Sequence, residues 1–244
     1  MNERFISFLR RTPCHPQWLV FRGSRKRLAS ELEHVAGLVL DVGCADSWPR
    51  TYIRKPHEYV GIEYPATSVR YGFRPSVYAN AEHLPFYDAS FNWILAFDVL
   101  EHIPHFQQTL RELARTLKPG GHALIQIPFA YPLHDEPYDF NRLTLHGLKS
   151  NALEAGFEIS EIEPMGHPLE TACANAAIAC AISVRSLLFG ERHGRGLRLA
   201  AAIFTIIPFG ALMLAFNVLG RVAALFPSSS AFPIRYVMKV RKPL

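Results

Sequence analysis

Hydrophobic and polar positions fall into two kinds of pattern along the chain, and their alternation sets the expected fold. Short, mostly apolar runs occur at Leu38–Val42, Tyr59–Ile62, Ser76–Ala79, Phe91–Phe97 and His122–Pro128. Runs of this length between polar or glycine-bearing stretches predict strands of a largely buried parallel sheet. Between the fourth and fifth runs, Phe106, Leu110, Leu113, Ala114 and Leu117 mark one face of an amphipathic helix. Lys118-Pro119-Gly120-Gly121 is expected to stop that helix ahead of the fifth strand. Thr144 is placed to cap a helix carrying Leu145, Leu148, Ala152 and Leu153 and ending at Gly156. Phe157–Ile162 alternates as a sixth, half-exposed strand, and a short polar helix is expected near Ala66–Arg70. Residues 1–36 read as a helical segment, with Phe5, Ile6, Leu9 and later Leu28, Leu32 and Val35 at helical spacing. Strands alternating with helices predict an α/β fold whose sheet is parallel at its centre.

The end of the first run is where the pattern turns towards chemistry. Leu38-Val39-Leu40-Asp41-Val42 passes into Gly43-Cys44-Ala45-Asp46-Ser47, an acid followed by small residues. Ligands bind in the crevice beyond the carboxyl ends of such strands, where small residues admit close backbone approach. The second run ends in Glu63, 20 residues after Gly43. That is the offset at which an acid reaches the ribose hydroxyls of a bound nucleotide. The Gly43–Ser47 loop lacks the further glycines that admit a pyrophosphate, which disfavours a nicotinamide-dependent oxidoreductase.

Charge changes the picture more by distribution than by its total of +5. Residues 1–27 carry +6 and residues 185–244 carry +8, leaving −9 on the middle. Basic ends flanking an acidic body suit an anionic membrane surface, or are simply solvated. No recognition-helix or RNA-binding signature points to nucleic acid. The four cysteines, Cys14, Cys44, Cys173 and Cys180, show neither CxxC pairing nor zinc spacing, so a reduced, cytoplasmic protein is expected. Phe5–Leu9 is too short for a secretory apolar core.

Four stretches together resemble class I S-adenosylmethionine-dependent methyltransferases: Val39–Cys44, Ala81-Glu82-His83-Leu84-Pro85-Phe86, Val99-Leu100-Glu101-His102 and Leu117–Gly121. They stand in the family's order over roughly residues 37–165. Pro132–Thr144 is similar to a bacterial subgroup that resembles neighbours of cell-envelope and glycan enzymes, an association rather than a mechanism. The resemblance implies a Rossmann-like, doubly wound, seven-stranded sheet with an antiparallel last strand. Ile234–Val240 is the candidate for that strand, so a hydrophobic helical insertion, residues 166–233, separates strands six and seven. The implied organisation is an N-terminal segment 1–36, a cofactor-binding core 37–165, the insertion 166–233 and a returning strand in 234–244.

The resemblance further implies S-adenosylmethionine as cofactor. Asp41, Gly43, Cys44 and Ala45 would cradle its methionine part, and Glu63, with Tyr64 beside it, would hold the ribose. Asn80, Ala81 and Glu82 would lie by the adenine, with Phe97, Asp98 and Val99 lining the pocket after strand four. Ala45 and Ser47 replace family glycines, and Asn80 replaces an acid. A methyl group at Ala45 is expected to require φ < 0 or a wider loop, at a cost of ~1 kcal/mol.

Methyl transfer from a sulfonium is an in-line displacement that asks the protein mainly for alignment, and for a base if the acceptor is a hydroxyl or amine. The loop after strand five carries His134, Asp135, Glu136, Asp139 and Arg142 and leaves the same sheet edge as the cofactor loop. His134 is the first choice for a base, since its ordinary pKa lies nearest neutrality. Asp139 and Arg142 either position the acceptor or pair with each other to pin the loop. His102 either faces the same pocket or is satisfied by backbone groups. Trp48, Tyr64 and Tyr131 either shape an acceptor pocket or belong to the core. No recognisable ligand spacing marks a metal site.

Leu199–Leu219 has no charged residue and is long enough to span a bilayer, and Thr171–Phe189 is Ala-rich with Asn175 and Arg185 inside it. A return of the last strand to the same sheet forbids an odd number of crossings. Two crossings would place the basic stretch Glu191–Arg198 on the far side and Arg185 in hydrocarbon. Pro208-Phe209-Gly210 is expected to break the second stretch. These constraints favour a monotopic hairpin on the inner face of the cytoplasmic membrane, against a lid or homodimer surface as the other reading. The reading reached is a methyltransferase acting on oxygen of a small-molecule, lipid-linked or hydrophobic acceptor. Its rival is a non-catalytic binding or scaffold protein on the same fold.

Overall fold

The computed structural model describes residues 8–22, 24–55, 57–72, 74–189, 195–227, 229 and 231–244. Phe5, Ile6 and the first half of the basic stretch, Glu191–Gly194, lie outside them. The chain divides into two compact units. The larger holds residues 26–129, 133–164 and 235–244; the smaller holds those up to Arg25, 130–132 and 165–234. Residues up to Arg25 group with those of the insertion, and residues 26–36 with the core.

The larger unit is a seven-stranded sheet in the order β3-β2-β1-β4-β5-β7-β6. Its strands are β1 (Gly37–Val42), β2 (His57–Glu63), β3 (Val77–Tyr78), β4 (Phe91–Phe97), β5 (Leu117–Pro128), β6 (Glu158–Met165) and β7 (Arg235–Arg241). β1 pairs in parallel with β2 and β4, β4 with β5, and β7 runs antiparallel against β5. The order reverses between β1 and β4, the switch point beyond which such sheets bind ligands. Val39, Leu40, Ile94, Leu95, Ala96, Ala123 and Ile125 are all fully buried at its centre, as the apolar runs require.

Helices cover the sheet. α1 (Trp18–Phe21) belongs to the smaller unit, and α2 (Ser24–Leu32) passes into the larger one. α3 (Pro65–Tyr71) follows β2, α4 (Phe106–Thr116) follows β4, and α5 (Leu145–Glu154) precedes β6. Phe106, Leu110, Leu113 and Ala114 bury the expected face of α4, and the Thr144 hydroxyl accepts from Gly147 N at 3.1 Å as the N-cap of α5. α4 stops at Thr116, but Lys118–Gly121 is not the loop expected there. β5 already begins at Leu117, because Gly120 N donates to the Lys242 carbonyl and Lys242 N to the Gly121 carbonyl. The backbone paired past the end of β7 keeps these breakers in a bulged strand.

In the smaller unit, α6 (Pro168–Phe189) and α7 (Arg195–Ala223) pack along each other as a helical hairpin. Gly220 permits the close approach, since a Cβ there would stand 2.7 Å from Leu19 Cδ1 and 2.9 Å from Cys173 Cβ. Trp18, Leu19 and Val20 bury against Cys173, Ala174 and Ile178, and the Asn217 amide donates to the carbonyls of Pro13 and His15 at 2.7 and 3.0 Å. α7 runs unbroken through Pro208, contrary to the expected break. One proline removes a single ladder bond, which packing along the length of α6 outweighs.

Candidate functional site

The turn after β1 is built by its neighbours on both sides. Gly43 N and Cys44 N both donate to the Ile62 carbonyl, folding the turn back onto β2. Gly43 has φ +67°, and a Cβ there would meet Val99 Cγ2 at 2.4 Å. Its smallness therefore serves the residue after β4 rather than only an incoming ligand. Cys44 turns its thiol towards Gly61, whose Cβ position lies 2.8 Å from Sγ. Burial pushes that thiol up to about 11, so Cys44 offers the site its backbone rather than a nucleophile.

Glu63 closes the turn. Its Oε2 accepts from Ala45 N at 3.1 Å, and its Oε1 accepts from the Thr67 hydroxyl at 2.7 Å. The spaced acid and the small-residue loop are thus brought together, as their offset implies. Tyr64, half exposed at the start of α3, stands next to Glu63, and Trp48 stacks on Phe97 with ring centroids 5.6 Å apart.

Ala45 (φ +43°) does not take the φ < 0 expected as one of its two options, and Ser47 (φ +52°) is left-handed as well, a backbone region that favours glycine. Bonds from Gly43, Cys44 and Ala45 hold the turn against β2. Each Cβ is strained by about 1 kcal/mol. Ala45→Gly and Ser47→Gly are each expected to raise unfolding free energy by up to ~1 kcal/mol, less the entropy glycine adds to the unfolded chain. Thermal unfolding measures this; a loss of stability in both variants would count against the strain.

Asp41 lies at the floor, buried, and accepts from the Tyr59 hydroxyl. Burial pushes its carboxyl up to about 7; the Tyr59 bond opposes this, and the charges of Glu63 and Asp46 add to it. Asn80 and Glu82 are bonded within their own turn. Asn80 Oδ1 accepts from Glu82 N at 3.0 Å, and Asn80 Nδ2 donates to Glu82 Oε2 at 3.2 Å. Glu82 Oε1 also accepts from His105 N at 3.0 Å, fastening this turn to the start of α4, and Ala81 is buried beneath. Asp98 Oδ2 accepts from Gln126 at 2.7 Å and from buried Arg235 at 3.0 Å. That carboxylate is committed to β5 and β7.

A second cluster stands on the same sheet edge, where the loop after β5 clamps onto the short turn Leu100–His102. Phe140 N and Asn141 N donate to the Glu101 carbonyl at 2.8 and 3.2 Å, and the Asn141 amide donates to Ile103 O at 2.7 Å. Arg142 donates to both Asp139 oxygens at 2.6 and 2.7 Å, and Asp139 accepts from His134 N at 3.0 Å. Asp139 and Arg142 therefore pin the loop. Although burial alone would raise it, the Arg142 bond, the His134 amide and their charges hold the Asp139 carboxyl below its ordinary value.

His102 and His134 face each other with ring centroids 4.8 Å apart. Burial lowers the His102 pKa, and the neighbouring His134 adds to this, against its bond to the Tyr138 carbonyl. Both rings stand with Nε2 close to Oε1 of Glu101, at 3.8 and 3.9 Å, and the Glu101 side chain is fully buried. Burial drives its carboxyl well above the ordinary range, with the Asp98 charge adding. Sequence reading passed over Glu101; its signal was an acid set among Val99, Leu100 and Ile103 at the end of a buried strand. The fold joins residues 101 and 102 to residue 134, a separation that no local spacing marks.

The sheet order, the antiparallel β7 and the β1 turn define the class I S-adenosylmethionine-dependent methyltransferase fold. Residues 40–125 match the family model described as a methyltransferase domain, and S-adenosylmethionine is the cofactor of that class. Among curated proteins, the chain is 49% identical over 67 residues to a ubiquinone/menaquinone biosynthesis C-methyltransferase of Bartonella henselae, covering 26% of this chain and 25% of that protein. It is 31% identical over 108 residues to a phthiotriol/phenolphthiotriol dimycocerosates methyltransferase of Mycobacterium ulcerans, covering 40% of each. The chain thus spans between a quarter and two-fifths of the length of these relatives. Among solved structures, the [4+2]-cyclase SpnF superposes with a TM-score of 0.56 at 18% identity, over 92% of this chain and 83% of that one.

Proposed function

We propose that this protein transfers a methyl group from S-adenosylmethionine to an oxygen of a hydrophobic or lipid-linked acceptor. The observation that carries the reading is the Glu63 carboxylate bonded to Ala45 N over the Gly43 turn, within the stretch that matches a methyltransferase domain. In this reading Asp41, Gly43, Cys44 and Ala45 hold the methionine end and Glu63 the ribose. Tyr64 and the Asn80–Glu82 turn border the base, and Asp98 acts through the position it gives the strand end. The loop carrying His134 leaves the same edge, and its double anchoring by Asp139 and Arg142 gives the rigid alignment an in-line displacement needs.

Support for a lipidic acceptor comes from the insertion. Pro168–Leu188 and Thr205–Ala223 are long and apolar enough to cross a membrane, with mean hydropathies of 1.5 and 1.7. Ile207, Val218, Leu219 and Val222 on α7 are exposed, and so are Leu225 and Phe226 beyond it. A run of this kind with arginines at its ends suits an interfacial position on an anionic bilayer. A second copy covering the same face is the other occupant it would accept.

Calorimetric titration of the full chain with S-adenosylmethionine tests the reading: saturable binding at one equivalent is expected, and none would leave a scaffold on a methyltransferase fold. Flotation with anionic liposomes tests the acceptor side. Ile207→Ser with Leu219→Ser is expected to weaken partitioning several-fold; equal partitioning of wild type and variant would remove the membrane.

Cofactor binding is expected to depend on pH through Asp41. The ionised carboxylate is the form that attracts the cofactor's ammonium, and its pKa is raised to about 7. Affinity should rise with pH through that value, because below it the proton must leave before the cation is paired. S-adenosylhomocysteine should bind roughly tenfold more weakly at pH 6 than at pH 8. Asp41→Asn should flatten the profile, and an unchanged slope in that variant would move the titration elsewhere.

A further inference from the structure

The methyl-transfer reading leaves Glu101 without a task. Its side chain is fully buried in the turn after β4, and neither carboxylate oxygen has a hydrogen-bond partner. A buried carboxylate so placed is costly unless a cation or a proton stands against it. The atoms that face it are ring nitrogens: His102 Nε2 lies 3.8 Å and His134 Nε2 3.9 Å from Oε1. One ligand atom from each of the three residues lies within 4.8 Å of the others.

Both rings are held from behind. His102 Nδ1 is 2.6 Å from the Tyr138 carbonyl. A carbonyl only accepts, so Nδ1 carries the proton and Nε2 presents a bare lone pair to Glu101. His134 Nδ1 stands 3.2 Å from Asp139 Oδ2 and 3.3 Å from an Arg142 nitrogen. A proton on that Nδ1 would face the carboxylate and leave the Nε2 lone pair for an ion, whereas an Arg142 N–H donating to Nδ1 would place the proton on Nε2; ion binding selects the first tautomer. Backbone carbonyls and carboxylates behind histidines are the outer groups that orient metal-bound imidazoles. The Arg142 and Arg235 charges act on Glu101 without bonding it, since Arg142 is engaged by Asp139 and Arg235 by Asp98.

We infer that Glu101, His102 and His134 form a binding site for a divalent first-row transition-metal ion of the zinc type. Two imidazoles and one carboxylate are a donor set that zinc takes with a further position open. Donors ~2.1 Å from a tetrahedral ion stand ~3.4 Å apart, so the observed separations close with side-chain shifts of roughly 1 Å. The clamp of the Tyr138–Arg142 stretch onto the turn at Glu101 holds the two ligand-bearing segments in register before any ion arrives. Use of the open position by an acceptor oxygen rests on the methyl-transfer reading; the ion site itself does not.

The test uses the full-length chain, stripped with a chelator and titrated with zinc against a chromophoric competitor, and with cobalt(II) followed by visible absorption. One equivalent is expected to bind with a dissociation constant of about 1 μM or lower. His134→Ala and Glu101→Gln should each weaken binding by at least about tenfold, while Cys14→Ser, at an exposed thiol, should not. Absence of a saturable equivalent in the wild type, or wild-type affinity in both site variants, overturns the assignment. If Glu101→Gln fails to fold, His134→Ala, whose ring is partly exposed, decides. S-adenosylhomocysteine binding by the stripped chain is measured in parallel. Cofactor binding without metal binding removes the metal site alone, and the reverse removes the methyl-transfer reading alone.

Discussion

Gly43→Ala is expected to destabilise the larger unit by about 3 kcal/mol and to weaken cofactor binding at least tenfold. Two costs combine. The backbone at Gly43 holds φ +67°, where a Cβ costs ~1–2 kcal/mol. The added methyl also meets Val99 Cγ2 at 2.4 Å, closer than any real contact, so the turn or the segment after β4 must move. Overpacking of this kind typically costs a further 1–3 kcal/mol. For a chain of this length each kcal/mol lowers the midpoint by about 2–4 °C, so a fall of roughly 6–12 °C is expected. Adding Val99→Ala separates the terms: it should restore the steric part and leave the backbone part. If the double variant is no more stable than Gly43→Ala, the collision with Val99 is not what makes Gly43 necessary.

That dependence shows what the sequence could and could not make legible. The strands and their order of appearance follow from apolar runs, because burial on both faces of a parallel sheet leaves no room for another pattern. Asp41, Gly43 and Glu63 were legible for the same reason: the end of a buried strand, a small turn and an acid at the end of the next strand stand at a spacing the βαβ unit fixes. The occupant of the space beside Gly43 was not, since Val99 arrives from 56 positions along the chain. Nor was the tie from Asp98 to Arg235, which depends on the last strand inserting beside β5. Glu101 was hidden differently. In sequence it is one acid beside a histidine; only burial, and a partner histidine 33 positions on, distinguish it from any helix-start glutamate.

The grouping of the N-terminal segment with the insertion has a similar cause. Trp18, Leu19 and Val20 read as part of a helical leader, yet the apolar surface they need is supplied by Cys173, Ala174 and Ile178. Helical spacing reports which face a segment buries, not against what. The Asn217 amide, spending both hydrogens on the carbonyls of Pro13 and His15, could not be foreseen from a polar residue in an apolar run. It is nonetheless the sort of position that marks such a run as packed against protein on one side.

Glu63→Ala should lower affinity for S-adenosylhomocysteine by about a hundredfold or more, with a smaller effect on stability. A carboxylate accepting from two ribose hydroxyls makes two charge-assisted bonds, each contributing ~1.5–3 kcal/mol. In the free protein the same oxygens accept from Ala45 N and Thr67. Truncation therefore also releases the turn, but those partners can turn to solvent, and the stability cost should stay near ~1 kcal/mol. Glu63→Gln keeps one accepting oxygen and replaces the other by a donor, so it should fall between, roughly tenfold weaker than wild type. The split between calorimetry and thermal unfolding is what discriminates. A protein in which Glu63 only fastens its turn would lose several degrees of stability in the alanine variant while its folded fraction kept wild-type affinity. Finding that pattern would take the ribose away from Glu63, and with it the observation on which methyl transfer is proposed.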